Sequence, residues 1–322
     1  MPHTWRLLLP LLIILSLPCA LPPTSASADP DTPWGADYFP NIPLLTQDGQ
    51  QVRFFDDLIK DKVVAINFIF TGCGDSCPVE TARLRQVQKL LGERVGQDIF
   101  IYSISIDPYN DTPATLKRYA EKFAIGPGWT LLTGEAADIE QLRRSLGLYI
   151  EGLENGRSKD HNLSLIIGNQ ATGRWMKASP FESPYILADR LANSLHNWKT
   201  ANVQRRDYTQ APDIRPPSKG EQLFRTRCSS CHTVGDAEPG ATHGIGPELL
   251  GVTQQRDEAW LKRWLMEPDR MLAERDPLAM LLYAQYNQLA MPNMRLGETE
   301  VAALLGYLEE ETQRRQAPPA QR

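Results

Sequence analysis

Cys228-Ser229-Ser230-Cys231-His232 sets two thiols on either side of a two-residue gap and an imidazole directly after the second. No other feature constrains the surrounding fold as tightly. C-x-x-C-H is the attachment signature of c-type haem. Two thiols must reach two vinyl groups of one porphyrin, and the next side chain must reach its iron. That iron takes an imidazole on one face and often a thioether on the other. A zinc reading has less to stand on, since zinc wants four ligands and no second cysteine pair lies nearby. From Ser218 onward the rhythm is helical with no strand-like run, and Val301, Leu304, Leu305 and Leu308 form one stripe of a final helix.

Four segments then occur in a telling order: Gly220-Glu221-Gln222-Leu223-Phe224, the CSSCH run, Gly246-Pro247-Glu248-Leu249-Leu250-Gly251, and Ala290-Met291-Pro292-Asn293-Met294. In this, residues 218–311 resemble the class I c-type cytochromes. The resemblance implies a small all-α cytochrome c domain with one covalent haem c on Cys228 and Cys231. It implies His232 and Met291 as axial ligands, and the Pro247 carbonyl orienting His232 through its ring N–H. Met291 is preferred to Met294 because it stands directly before Pro292, and Met271 and Met280 read as core packing. The last helix is expected to pack on the one carrying Phe224. His243 reads as a surface loop residue.

Ahead of this lies a different rhythm. Asp48-Gly49 between short apolar runs signals a hairpin. Val63 to Phe70 (VVAINFIF) is a buried-strand run, followed by a helix from Pro78 that Gly92 ends. Ile99–Ile106 and Leu163–Ile167 are further strands. Helices are expected after Thr112-Pro113, around Ile139–Leu146, and over Leu187, Leu191, Leu195 and Trp198. Such alternation predicts a layered α/β domain. Thr71-Gly72-Cys73-Gly74-Asp75-Ser76-Cys77-Pro78 joins the first strand to its helix. Pro78 suits the first helical position, which puts Cys77 near the N-cap. A helix N-terminus lowers a thiol's pKa, so both sulfurs are predicted to be reactive. C-x-x-x-C allows a disulfide, and it also lets two thiolates hold one soft ion such as Cu(I).

The strand into C-x-x-x-C-P, then Ser103-Ile104-Ser105-Ile106-Asp107-Pro108 with Asp111-Thr112-Pro113, then Asp160-His161, resemble the Sco/SenC family of thioredoxin-like proteins over residues 35–198. The resemblance implies copper held by Cys73, Cys77 and His161, with the cysteines as the redox-active pair. It also implies delivery of copper to the binuclear centre of cytochrome c oxidase, or reduction of that centre's cysteines. The partners it implies are the oxidase copper subunit or another exported copper or thiol acceptor, and a redox protein. Gly74 departs from many relatives. Asp107 reads as a turn former and His196 as structural.

Residues 1–28 read as an export signal: His3 and Arg6, an apolar run Leu7–Ala20, then Ser25-Ala26-Ser27-Ala28. The run is shorter than the ~20 residues of a spanning helix. The expectation is a periplasmic protein, with an uncleaved N-terminal tether as the alternative. Residues 199–217 read as a linker, and 312–322 as a disordered tail. The chain has 322 residues, 42% of them hydrophobic, enough for two cores. Its net charge of −5 offers no basic excess for a phosphate backbone, so nucleic acid is not expected as a partner. The sequence therefore predicts an α/β thioredoxin-like domain followed by a small all-α cytochrome c domain. The leading role is a copper metallochaperone with an attached electron carrier, rather than an enzyme. A thiol–disulfide oxidoreductase and a plain electron-transfer cytochrome stay open.

Overall fold

The computed structural model describes residues 35, 37–74, 76–152, 161–197, 216–235 and 245–317. The export segment, most of the linker, Trp198, His243 and residues 318–322 lie outside the described residues.

β1 (Pro43–Thr46) and β2 (Gln51–Arg53) form the expected hairpin, with Gly49 at φ 78° in its turn. β3 (Val63–Ile69), α1 (Ser76–Leu91), β4 (Ile99–Ser105), α2 (Pro113–Lys122) and β5 (Trp129–Thr133) then alternate, with the three strands parallel. α3 (Ala136–Ser145) leads on towards β6 (Leu165–Asn169), β7 (Arg174–Ala178) and α4 (Pro184–Asp189). The seven-stranded sheet runs β2-β1-β5-β4-β3-β6-β7, with β6 antiparallel to β3.

All seven residues of β3 are buried because helices cover both faces of the sheet. Val63, Ala65 and Ile69 enter the cluster beneath α1, α2 and α4. Val64, Ile66 and Phe68 enter the opposite one with Phe54, Ile139 and Leu142. Thr112 caps α2 by accepting the Thr115 N–H at 3.3 Å. β5 and β7 add to the strands read from the sequence. β7 is a half-exposed edge strand whose pairing with β6 determines it, not its own pattern.

The second region has helices and loops and no strand among its described residues. α5 (Lys219–Leu223) continues as a wider turn to Cys228. α6 (Glu258–Met266), α7 (Pro268–Ala273), α8 (Pro277–Gln285) and α9 (Glu298–Gln316) follow. α9 crosses α5 as expected: the Phe224 and Tyr307 rings are 5.5 Å apart, and Val301, Leu304, Leu305 and Leu308 are buried. Gly220 permits this crossing, since a Cβ there would lie 2.0 Å from the Ala303 carbonyl oxygen. The expected tail beginning at 312 is corrected. α9 runs on to Gln316 because Thr312 is buried and its hydroxyl accepts the Gly251 N–H at 3.0 Å. Arg315 also donates to the Gly235 carbonyl at 3.0 Å.

Candidate functional site

The first site sits where β3 gives way to α1. Cys73 is half-buried and Cys77, in the first turn of α1, is fully buried. The two cysteines are held together, the Cys77 N–H pointing at Cys73 Sγ at 3.4 Å. Cys73 thus does for the start of α1 what a capping hydroxyl does elsewhere. Asp111, fully buried, anchors the loop's base: it accepts the Thr71 N–H at 3.0 Å, the Thr71 hydroxyl, and the Ser105 hydroxyl at 2.6 Å. Asp107 is a turn residue, accepting Asn110 Nδ2 at 2.9 Å.

The expected depression of the thiol pKa is overturned for Cys77. The hydrogen bond with Cys73 and then burial push its thiol well above the ordinary value, against a lowering backbone hydrogen bond at Phe70. Cys77 is therefore the shielded member of the pair. One turn further on, Glu80 is also fully buried. Its Oε1 accepts Asn67 Nδ2 at 2.8 Å, Asn67 accepts the Ser103 hydroxyl at 2.6 Å, and that hydroxyl accepts Trp129 Nε1 at 2.9 Å. Glu80 Oε2 has no hydrogen-bond partner. Burial pushes its carboxyl up to about 8, although the Asn67 hydrogen bond pulls the other way.

His161 arrives at the same end of the sheet. Past the last pair of β3 and β6, their antiparallel register would set 161 opposite 71. Its imidazole is buried, with Nε2 3.0 Å from the Phe68 carbonyl oxygen and the ring edge-on to Phe70 at 5.8 Å. The structure thus joins Cys73 to Cys77 and brings His161 to the neighbouring strand end, its Nε2 occupied by backbone. Among the described residues, no three His, Cys, Asp or Glu side chains are arranged around one metal position.

The second site is a cleft in the helical region. Two adjoining cavities share Cys228, His232, Pro247, Trp264, Leu282 and Met291 as walls. His232 Nδ1 is 2.8 Å from the Pro247 carbonyl oxygen, as expected, leaving Nε2 to serve a metal. Burial lowers the His232 pKa and keeps the ring neutral. A Cβ on Gly246 would lie 2.7 Å from the imidazole, so only glycine lets the backbone pass there. Met294 lines one cavity and Met291 both, whereas Met271 and Met280 line neither. Two thiols, a neutral oriented imidazole and a thioether around an apolar cleft fit a covalently bound haem. Burial lifts the Cys228 and Cys231 thiols to about 12 and about 11.

Sequence reasoning gave no role to Asp111, Glu80 or Gly246. Asp111 directly precedes the Thr112-Pro113 helix start, and Gly246 precedes the Pro247 that orients His232. Glu80 offered no signal, since a glutamate on a helix ordinarily faces water.

Residues 35–196 match the SCO1/SenC family, and residues 217–311 match cytochrome c. A SCO1 protein homolog of Bacillus subtilis is 38% identical over 98 residues, 30% of this chain and 49% of that protein. The chain spans about half the length of the curated relatives it matches. Among solved structures, a cytochrome c domain from Pseudomonas putida is 72% identical, covering 31% of this chain and 94% of that one, with a TM-score of 0.29. A copper-bound ScoI of Bradyrhizobium japonicum is 27% identical, covering 47% and 94%, with a TM-score of 0.40. With half its length matched and a paired-cysteine loop opening α1 behind a buried parallel strand, this chain belongs to the SCO1/SenC family and carries a cytochrome c domain after it.

Proposed function

We propose that the chain is an exported copper carrier serving assembly of the copper centre of cytochrome c oxidase, with a haem-based electron carrier built into the same polypeptide. The observation that carries this reading is the meeting of Cys73 and Cys77 at the start of α1, with His161 at the adjoining strand end. Copper is the cargo. Two thiolates and an imidazole are a donor set suited to it. With its Nε2 at the Phe68 carbonyl, the His161 imidazole offers copper its Nδ1, or its Nε2 once that contact is released. Asp111 holds the base of the sulfur loop. The export-like composition of residues 1–28 supports a periplasmic setting.

In the second domain Cys228 and Cys231 would hold the haem, His232 and Met291 its iron, and Pro247 the imidazole's orientation. Bound there, haem supplies one-electron exchange. A copper couple also moves one electron, whereas a dithiol moves two. His/Met ligation raises haem potential, and thioredoxin-like dithiols lie at roughly −120 to −270 mV. Electrons should therefore run from the sulfur pair or Cu(I) towards the cytochrome domain.

A second reading, a thiol–disulfide oxidoreductase, is favoured by the occupied His161 Nε2. Copper titration of the purified full chain separates the two. The copper-carrier reading expects tight Cu(II) binding that is lost in His161→Ala and in Cys73→Ser. Undiminished Cu(II) affinity in His161→Ala would overturn it and leave the thiol reading.

A further inference from the structure

The two domains meet along one face of α1. Gln86 Nε2 donates to the Ser229 carbonyl at 2.8 Å, and the Arg83 guanidinium donates to the Thr226 carbonyl. Arg83 is itself buried, and its Nη1 holds the Phe181 and Glu182 carbonyls at 3.2 and 3.3 Å. From the end of α2, Lys122 Nζ reaches the Gln288 carbonyl at 3.4 Å. Thr226 and Ser229 close the helical run that begins at Lys219. The last carbonyls of a helix lack intrahelical donors, and a cation there is favoured by the dipole. Donors from the first domain thus meet the helix end that leads into C-x-x-C-H.

The apolar contacts follow the same line. Ile245, Cys231 and Leu289 pack with the core cluster of the α/β domain, which Cys73 also borders. Pro78 and Phe123 stand in the wall of the cleft that holds Cys228, Cys231, His232 and Met291. Pro78 is the residue directly after Cys77.

We propose that the α/β domain supplies one wall of the haem pocket, with Pro78 and Phe123 against the porphyrin edge beside Cys231, and that Arg83, Gln86 and Lys122 latch the two domains in this register. The proposal rests on the haem reading above and is independent of copper. It makes the Cys77–Pro78 peptide the shortest covalent route from the sulfur pair to the cleft. It also covers that edge of the cleft against outside proteins while the latch is closed.

Ferric low-spin iron is paramagnetic and ferrous low-spin iron is not, so amide NMR shifts report which residues lie near it. The full haem-loaded chain is compared in both states in a Cys73→Ser, Cys77→Ser background, which removes copper and thiol chemistry. Amides of Val79–Gln86 and of Phe123 are expected to shift between the two states, and those of β2, at the far edge of the sheet, to stay still. Adding Gln86→Glu and Lys122→Glu, both at half-buried positions, is expected to abolish those shifts with the haem absorbance spectrum intact. A normal haem spectrum without shifts along α1 overturns the shared wall alone. Shifts that survive the double substitution overturn the latch and leave the shared wall standing. Failure to incorporate haem overturns the haem reading along with it, and failure to bind copper in the parent chain leaves the wall untouched.

Discussion

Nδ1 of His232 stands 2.8 Å from the carbonyl oxygen of Pro247, and the Gly246 backbone lies against the same ring. The carbonyl accepts the Nδ1–H hydrogen bond, which fixes the tautomer and aims Nε2 into the cleft. Gly246→Ala would put a Cβ 2.7 Å from Cε1, so ring or backbone must give way. We expect a loss of about 1–3 kcal/mol in the cytochrome domain. A perturbed low-spin haem spectrum should accompany it. Denaturation followed at the haem band checks both, and an unchanged spectrum and midpoint would refute the packing argument.

Gly220 and Gly306 make a matched pair. At Gly220 an added Cβ meets the Ala303 carbonyl oxygen at 2.0 Å and Tyr307 Cβ at 2.7 Å, whereas at Gly306, on the same helix α9, nothing lies within 4 Å. Gly220→Ala must force α5 and α9 apart and should cost about 3 kcal/mol or more. Gly306→Ala should instead stabilise by roughly 0.5–1 kcal/mol, because an interior helical glycine is entropically costly. Opposite shifts of the haem-band denaturation midpoint are the expected signature.

Met291 lines both lobes of the cleft and Met294 only one. Met291→Ala should remove the thioether–iron absorption signature and lower the haem potential, since Met/His ligation raises it. Met294→Leu should keep that signature and move the potential little. The reverse result in a spectroscopic redox titration would reassign the ligand.

Spacing carried the second site well because its chemistry is local. Five consecutive residues carry the attachment signature, and Met291 and Pro247 line the same cleft as Cys228 and His232. β3 was legible for a similar reason, a sheet covered on both faces leaving an unbroken apolar run. β7 was not, because an edge strand takes its register from β6. The end of α9 was not either, since Thr312 is held by Gly251, sixty-one residues away in sequence. At the sulfur pair the position of the cysteines could be read but their chemistry could not. Helix dipole and burial push the Cys77 thiol in opposite directions, and only the second depends on what the fold stacks above it. The His161 hydrogen bond to Phe68 is likewise a product of sheet register.

Glu80 carries a pH dependence with a definite sign. Burial pushes its carboxyl from an ordinary 4.5 up to about 8 in the folded chain, with Asn67 opposing and the nearby Cys73 assisting. Between those values the folded protein keeps a proton that the unfolded chain has released. Stability therefore falls as pH rises through that window, and the full cost is present above about 8. Glu80→Gln still offers Asn67 an acceptor and cannot ionise. The variant and parent should be nearly equal in stability at pH 5, and the variant should become more stable by roughly 2–4 kcal/mol as pH approaches 9. Urea denaturation of the α/β domain, followed by its tryptophan fluorescence across that range, measures the difference. A gap independent of pH would show that Glu80 titrates alike in the folded and unfolded chain, and that its buried place beside the sulfur pair has no electrostatic consequence.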